Sequence, residues 1–324
     1  MITYILLVII TIFIIICILY NYESNERKEE KGYDKVKVGF EHFWDTYLTE
    51  SEKPYINNLL SMIPNSEYEK DLSKCDVIFH SQFGKPDKTK FLSNVKYIFW
   101  SGEYWPFEMN NYKVTLSNFE TNQINITYPF FFAFYHSYDE RIKESYNKNQ
   151  EYIADKFCAF IASNTNFPGC KVRNEFFHYL NNNYKRVDSY GRAFNNVNIK
   201  LDFPYNDKKQ LELLKKHKFV ICFENTRTDD WYITEKLFLA KYAGCLPIYW
   251  GTIKCKELFN QDAFLYLEED TETGFENLKN KIIELDNNDE LYLSMRNKEL
   301  IKEETKMKFN KTNIIKMISQ RLYK

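Results

Sequence analysis

Along this chain, short apolar runs alternate with longer segments whose apolar residues recur every three or four positions. KVKVGF (35–40), DVIFH (76–80), VKYIFW (95–100), FCAFIA (157–162), FVICF (219–223), LPIYW (246–250) and the run 264–267 read as strands. Helical periodicity falls between them at 171–183, 207–217, 234–243 and 275–286. Such alternation predicts parallel sheets with both faces covered. A charged stretch near 140–150 breaks the pattern and divides it into segments 35–150 and 151–324. Ahead of both, Ile2 to Tyr20 is almost unbroken apolar sequence with nine Ile and no charge. As a helix it spans roughly 29 Å, the hydrocarbon thickness of a bilayer. It lacks a basic leader and a small-residue cleavage site, so it predicts a retained single-pass anchor over 1–21, not a signal peptide. A polar stem follows over 22–34. Arg27, Lys28 and Lys31 lean toward a cytosolic carboxyl side.

Composition narrows the function classes. The chain of 324 residues is 44% hydrophobic and 27% charged, a globular balance with room for about two domains. Lys+Arg of 44 against Asp+Glu of 45 shows none of the basic excess of a nucleic-acid binder. Seven cysteines include no C-x-x-C pair, which argues against zinc ribbons and thioredoxin-like chemistry. Cys158 and Cys222 lie in apolar runs and read as buried thiols; one or two disulfides elsewhere remain open. His42, His80, His136, His178 and His217 show no metal-ligand spacing and read as surface or core residues. Lys215-Lys216-His217-Lys218 reads as a solvated helix end, and Phe130-Phe131-Phe132 as core or cleft wall. Asn125-Ile126-Thr127 and Asn310-Lys311-Thr312 are glycosylation sequons, relevant only if the bulk is lumenal.

The richest stretch runs from Phe219 to Gly251. A strand ends at Phe223, a polar loop follows, and Thr234 is placed to cap a helix whose first turn holds Glu235 and Lys236. Apolar residues at 237, 238, 240 and 243 form its stripe, and Gly244 supplies a left-handed stop. Ligands bind such units at the carboxyl ends of the strands. A helix start favours an anion, so a lysine there is unfavourable unless a negative group sits opposite. A phosphate fits that role; the alternative is an exposed lysine with no role. A second unit repeats the design: strand 157–162, loop Ser163-Asn164-Thr165-Asn166, and helix 171–183 with Arg173 near its start. Two cations at two helix mouths can converge on one diphosphate, Arg as a planar fork and Lys as a compact charge. G-x-G-x-x-G, the P-loop and D-x-D patterns are all missing. A diphosphate would therefore be held by cations and helix termini, not by Mg²⁺ or Mn²⁺.

These residues carry a resemblance. CFENTRTDDWYITEKLFLAKYAGCLPIYWG resembles the signature of family 10 glycosyltransferases, the α1,3/α1,4-fucosyltransferases. FCAFIASNTNFPGCKVRNEFFHYL resembles their S-N-x-N…R-N-x-F segment, and KYIFWSGEYWPFEMNNYKVTLSNFE followed by YPFFFAFY resembles their acceptor-side stretch. Together these cover most of 75–270. The resemblance implies an α/β GT-B fold: two Rossmann-like domains facing a cleft, here preceded by the transmembrane helix. Residues 35–150 would bind the acceptor and 151–324 GDP-fucose. The reaction would be an inverting, metal-independent transfer to an N-acetylglucosamine-containing glycan, with no cofactor beyond the donor.

By motif, the resemblance makes Glu103 the general base, Arg173 and Lys236 the diphosphate cations, and Glu235 the carboxylate near the ribose. Asn225 and Tyr232 match donor-cleft positions, as do Ser163 and Asn164 in the S-N-x-N loop. Glu224 either contacts fucose or braces the loop. Six residues (226–231) separate Asn225 from Tyr232, and Trp231 stands where Asp is frequent. Eukaryotic relatives imply a Golgi-type lumenal, type II placement, which the flanking charges oppose. Two other readings share the features: a GT-B enzyme with another nucleotide sugar, and a non-catalytic membrane-tethered glycan-binding protein.

Overall fold

The computed structural model describes residues 34–43, 53–84, 94–104, 107–137, 151–166, 169–199 and 208–324. The predicted anchor, most of the stem and the boundary at 140–150 lie outside them. Among the described residues no helix is long and apolar enough to cross a membrane.

Two parallel sheets organise the chain. The first has strands β1 (Val36–Glu41), β2 (Ser66–Tyr68), β3 (Val77–His80), β4 (Lys96–Trp100), β5 (Val114–Ser117) and β6 (Asn125–Thr127), in the order β2-β1-β3-β4-β5-β6. Helices α1 (Lys53–Leu60) and α2 (Phe130–Ser137) accompany it. The second sheet has the order β11-β10-β9-β7-β8. Its strands are β7 (Lys156–Phe160), β8 (Val187–Ser189), β9 (His217–Phe223), β10 (Leu246–Trp250) and β11 (Leu265–Tyr266). Its helices are α3 (Cys170–Asn183), α4 (Lys208–Leu214), α5 (Glu235–Tyr242), α6 (Cys255–Leu258), α7 (Glu272–Asp286), α8 (Asp289–Arg296), α9 (Glu303–Lys308) and α10 (Lys311–Leu322).

The predicted strands are all present, and β2, β5, β6 and β8 join them. Gly244 takes the expected left-handed backbone, φ 78°, after α5. The expected stripe on α5 is wider than predicted: Leu239 and even Lys241 are buried. Lys241 donates to the Ala263 and Arg296 carbonyls at 3.1 and 2.7 Å, while burial and then nearby Arg296 bring its pKa down to about 7.

The two halves share one apolar core. The Phe130–Phe132 run sits on α2, which packs between α1 and α5. Phe131 meets Phe238 and Phe259, and Phe132 stacks on Phe309 at 4.1 Å between ring centroids. The run is thus core, and it joins the halves. Helix α10 crosses back to the first half, where Arg321 donates to the Asn122 and Gln123 carbonyls. All six described cysteines are free thiols and buried.

Burial changes two readings. Lys215 and Lys216 do form an exposed end after α4, but His217 and Lys218 open the fully buried strand β9. Lys218 is tolerated inside because its ammonium pairs with Asp286 at 2.9 Å and also donates to that residue's carbonyl. The sequon residue Asn125 is fully buried, bonded to Thr115, Ser117 and two loop carbonyls. That network leaves it no route to a glycan.

Burial alone would raise the Asp286 pKa, but hydrogen bonds from Lys185, Lys218 and Tyr184 outweigh it and hold the pKa below the usual value. Its stabilisation is then complete above the unfolded value of about 3.9 and is lost as pH falls through the folded pKa. Asp286→Asn is expected to cost about 3–5 kcal/mol near neutrality. In urea denaturation, the gap from wild type should close below about pH 4.

Candidate active site

Loops at the carboxyl ends of four strands build the site: one follows β4, one β5, one β7 and one β9. Glu103 lies three residues past the end of β4. Ser101 fixes it locally, its hydroxyl donating to the Glu103 carbonyl at 2.9 Å and accepting from the Glu103 N–H at 3.1 Å. The carboxylate is half-buried, and Glu103 Oε2 accepts a 3.1 Å hydrogen bond from Tyr232 Oη on the other half. Neighbouring contacts also cross between halves. Tyr104 Oη donates to Asp230 Oδ2 at 3.2 Å, and Trp231 N–H to the Asn118 carbonyl at 2.8 Å.

Glu224, one residue beyond β9, has no solvent exposure. Its Oε1 accepts from the Thr234 N–H at 2.8 Å and from Tyr249 Oη at 3.3 Å. Its Oε2 accepts from Thr234 Oγ1 at 2.7 Å and from Lys236 Nζ at 3.1 Å. Four donors occupy a carboxylate with about four acceptor positions. These bonds brace the loop and the helix start. They also change the reading of Thr234: its hydroxyl serves Glu224 and does not cap α5. The negative group opposite first-turn Lys236 is likewise Glu224, a protein side chain already in place.

Lys236 donates to Thr234 Oγ1 as well, at 2.9 Å, so two of its three N–H bonds are committed. Burial would lower its pKa; Glu224 and Glu235 outweigh both burial and the repulsion of Arg173, with Glu103 adding a smaller pull, and hold it above the usual lysine value. Lys236 is therefore charged, in a field that includes both Arg173 and Glu103. Burial, opposed by Lys236, raises the pKa of Glu235.

Arg173 is 3% exposed. Its guanidinium donates to Asn225 Oδ1 at 2.8 Å, to the Asn164 carbonyl at 2.6 Å and to Cys170 Sγ at 3.0 Å, while Nε has no partner among the described residues. The Asn164 and Asn225 positions thus meet through Arg173. Gly169 permits that meeting: a Cβ there would lie 2.0 Å from the Asn225 carbonyl oxygen and 2.7 Å from Thr226 Cα. Only a residue without a side chain lets the loops after β7 and β9 touch. Ser163 is half-buried in the same loop.

Sequence reasoning passed over Arg227, which anchors the 226–231 loop to Asp270 and Tyr266 at 3.0 and 2.8 Å, and over Tyr104, Asp230 and Tyr249. The charged run R-T-D-D at 227–230, shortly after a strand, was the available signal for the loop; Tyr249 sits inside an apolar strand and gave none. It also missed a meeting of histidines. Glu41, His42 and His80 each offer a ligand atom within 4.8 Å of the others. Burial, then His42, brings the His80 pKa down to about 4 against a weaker opposing contact with the Gly84 backbone.

Two α/β halves joined at the carboxyl edges of their parallel sheets, with an acid on one side and two cations on the other, place the chain in the GT-B class. Residues 151–319 match the profile described as glycosyltransferase family 10 (fucosyltransferase), C-terminal part. The chain belongs to that family. It is 24% identical over 280 residues to the α-(1,3)-fucosyltransferase FucT of Helicobacter pylori, an overlap of 75% of this chain and 56% of that protein. It is 29% identical over 145 residues to human 4-galactosyl-N-acetylglucosaminide 3-α-L-fucosyltransferase 9, covering 44% of this chain and 37% of that one. The chain thus spans about half the length of these curated relatives, or less. A crystal structure of α1,3-fucosyltransferase with GDP-fucose superposes with a TM-score of 0.65 at 20% identity, over 90% of this chain and 91% of the other.

Glu224→Gln should leave the Lys236 ammonium without its closest counter-charge and cost about 3–5 kcal/mol in chemical denaturation. The double variant Glu224→Gln/Lys236→Met is expected to lose clearly less than the sum of the single changes, because it removes both charges.

Proposed function

We propose that the chain transfers fucose from GDP-fucose to a hydroxyl of an N-acetylglucosamine-containing glycan, with inversion to an α1,3 linkage. The observation that carries this reading is the Glu103 carboxylate, bonded to Tyr232 just ahead of the helix whose first turn bears Lys236. The family, and the names of its H. pylori and human members, support the sugar and the linkage.

In the proposed reaction Glu103 accepts the acceptor hydroxyl proton as that oxygen bonds to the anomeric carbon. The bond from that carbon to the diphosphate breaks, and GDP leaves with the electron pair. A free glutamate is a weak base, but the hydroxyl acidifies as its new bond forms, so proton transfer can be late. Arg173 and the uncommitted Lys236 N–H meet the charge that grows on the leaving diphosphate, an interaction stronger in the transition state than before it. Glu235 lies beside the ribose hydroxyls, Asn225 and Asn164 hold Arg173 in place, Ser163 lines the donor loop, and Tyr232 positions the base. No metal is needed when two protein cations carry that charge. Residues 1–21 act as the membrane anchor in this reading, with a Golgi-type placement as in eukaryotic members.

Purified chain incubated with GDP-fucose and an N-acetyllactosamine acceptor should yield an α1,3-fucosylated product by mass spectrometry and NMR. GDP-mannose and UDP-sugars should give none. Glu103→Gln should lower kcat by about 10²–10⁴-fold with the GDP affinity kept. Turnover with another donor alone, binding without turnover, or undiminished activity of Glu103→Gln would each overturn part of this reading.

A further inference from the structure

Outside the transfer site, a polar cluster stands at the carboxyl edge of the first sheet. Strands β1 and β3 are parallel neighbours, and their register sets Glu41 directly beside His80. His42 follows Glu41 with a left-handed backbone, φ 56°. Its Nε2 lies 3.9 Å from Glu41 Oε2, and its ring meets the His80 ring edge-on at 5.2 Å. His80 is 1% exposed, and Tyr112 Oη holds its Nδ1 at 2.8 Å. Its Nε2 is buried and, among the described residues, makes no hydrogen bond of ordinary length and angle, although the Gly84 backbone lies close to the ring. An imidazole nitrogen left so in a core is costly unless something fills its lone pair or takes its proton.

We propose that Glu41, His42 and His80 bind a divalent zinc-class cation. Two imidazoles and one carboxylate are borderline ligands suited to Zn²⁺, whereas Mg²⁺ and Ca²⁺ prefer oxygen sets. Zinc bonds of about 2.0–2.1 Å place tetrahedral ligands roughly 3.3 Å apart. The three candidate ligand atoms lie within 4.8 Å of one another, with Glu41 and His42 at 3.9 Å, so side-chain rotation must close them onto an ion. Tyr112 supplies the outer contact that metal-bound histidines use: in the tautomer that donates Nδ1–H to its oxygen, the His80 lone pair lies on Nε2. Three protein ligands leave one position open to water or a ligand. The adjacent strand β4 leads into Glu103 from the same edge. The ion would thus order the first-half edge of the site without touching the diphosphate cations. Metal binding here stands or falls independently of fucose transfer.

The full chain, stripped with chelator and dialysed, is titrated calorimetrically with Zn²⁺ and, in parallel, with Co²⁺ while visible absorption is recorded. One Zn²⁺ per chain is expected, with intense four-coordinate cobalt bands and no competition from excess Mg²⁺. His42→Ala changes an exposed residue, so its fold should survive by circular dichroism, and it should weaken Zn²⁺ binding at least tenfold. Tyr112→Phe should weaken it by about 10–100-fold. Absence of stoichiometric binding, or undiminished affinity in folded His42→Ala, overturns the assignment.

Discussion

A carboxylate without solvent exposure must find its hydrogen bonds inside the protein, and Glu224 finds four. Those bonds come from the start of α5, from Lys236 and from β10. This one group therefore fixes the helix mouth, keeps the lysine charged and ties two strands of the sheet to the loop between them. The geometry of the candidate site follows from it. Lys236 can sit in the first turn of a helix only because a negative charge meets it there, and it keeps one N–H for something else. The electrostatics are built before any ligand arrives, which is the condition for stabilising charge that appears only during reaction.

The second constraint is steric. Gly169 lets two loops touch through their backbones, and Arg173 uses that contact to bond both Asn164 and Asn225. The third is apolar. Helix α2 carries three phenylalanines into a core shared by both halves, so Glu103 and the cations are held in register by packing as well as by the Tyr232 hydrogen bond. A continuous core resists relative displacement, because packed interiors lose dispersion contacts when they open.

Local chemistry was legible in the sequence and distant chemistry was not. The strand at 219–223, the helix over 234–243 and the stop at Gly244 follow from period and turn residues alone, and they place Glu235 and Lys236 correctly. Strands β5 and β6 escaped because VTLS and NIT are short and polar, and their burial comes from neighbours in the sheet. Lys218 deceived for a related reason. A lysine beside two others reads as solvated until Asp286, 68 residues away, takes its charge. The contact between Glu103 and Tyr232 joins residues 129 apart, and His42 meets His80 across parallel strands. No spacing rule encodes such pairs. The resemblance picked out candidate residues on the chain, and the four partners of Glu224 came only from the structure.

The central claim is that Arg173 and Lys236 grip one diphosphate while Glu103 faces it from the other half. A crystal structure of the chain soaked with GDP measures this directly. The account predicts β-phosphate oxygens within hydrogen-bond distance of both the Arg173 guanidinium and Lys236 Nζ, with the Glu103 carboxylate across the gap. GDP seated elsewhere, or touching neither cation, would contradict it.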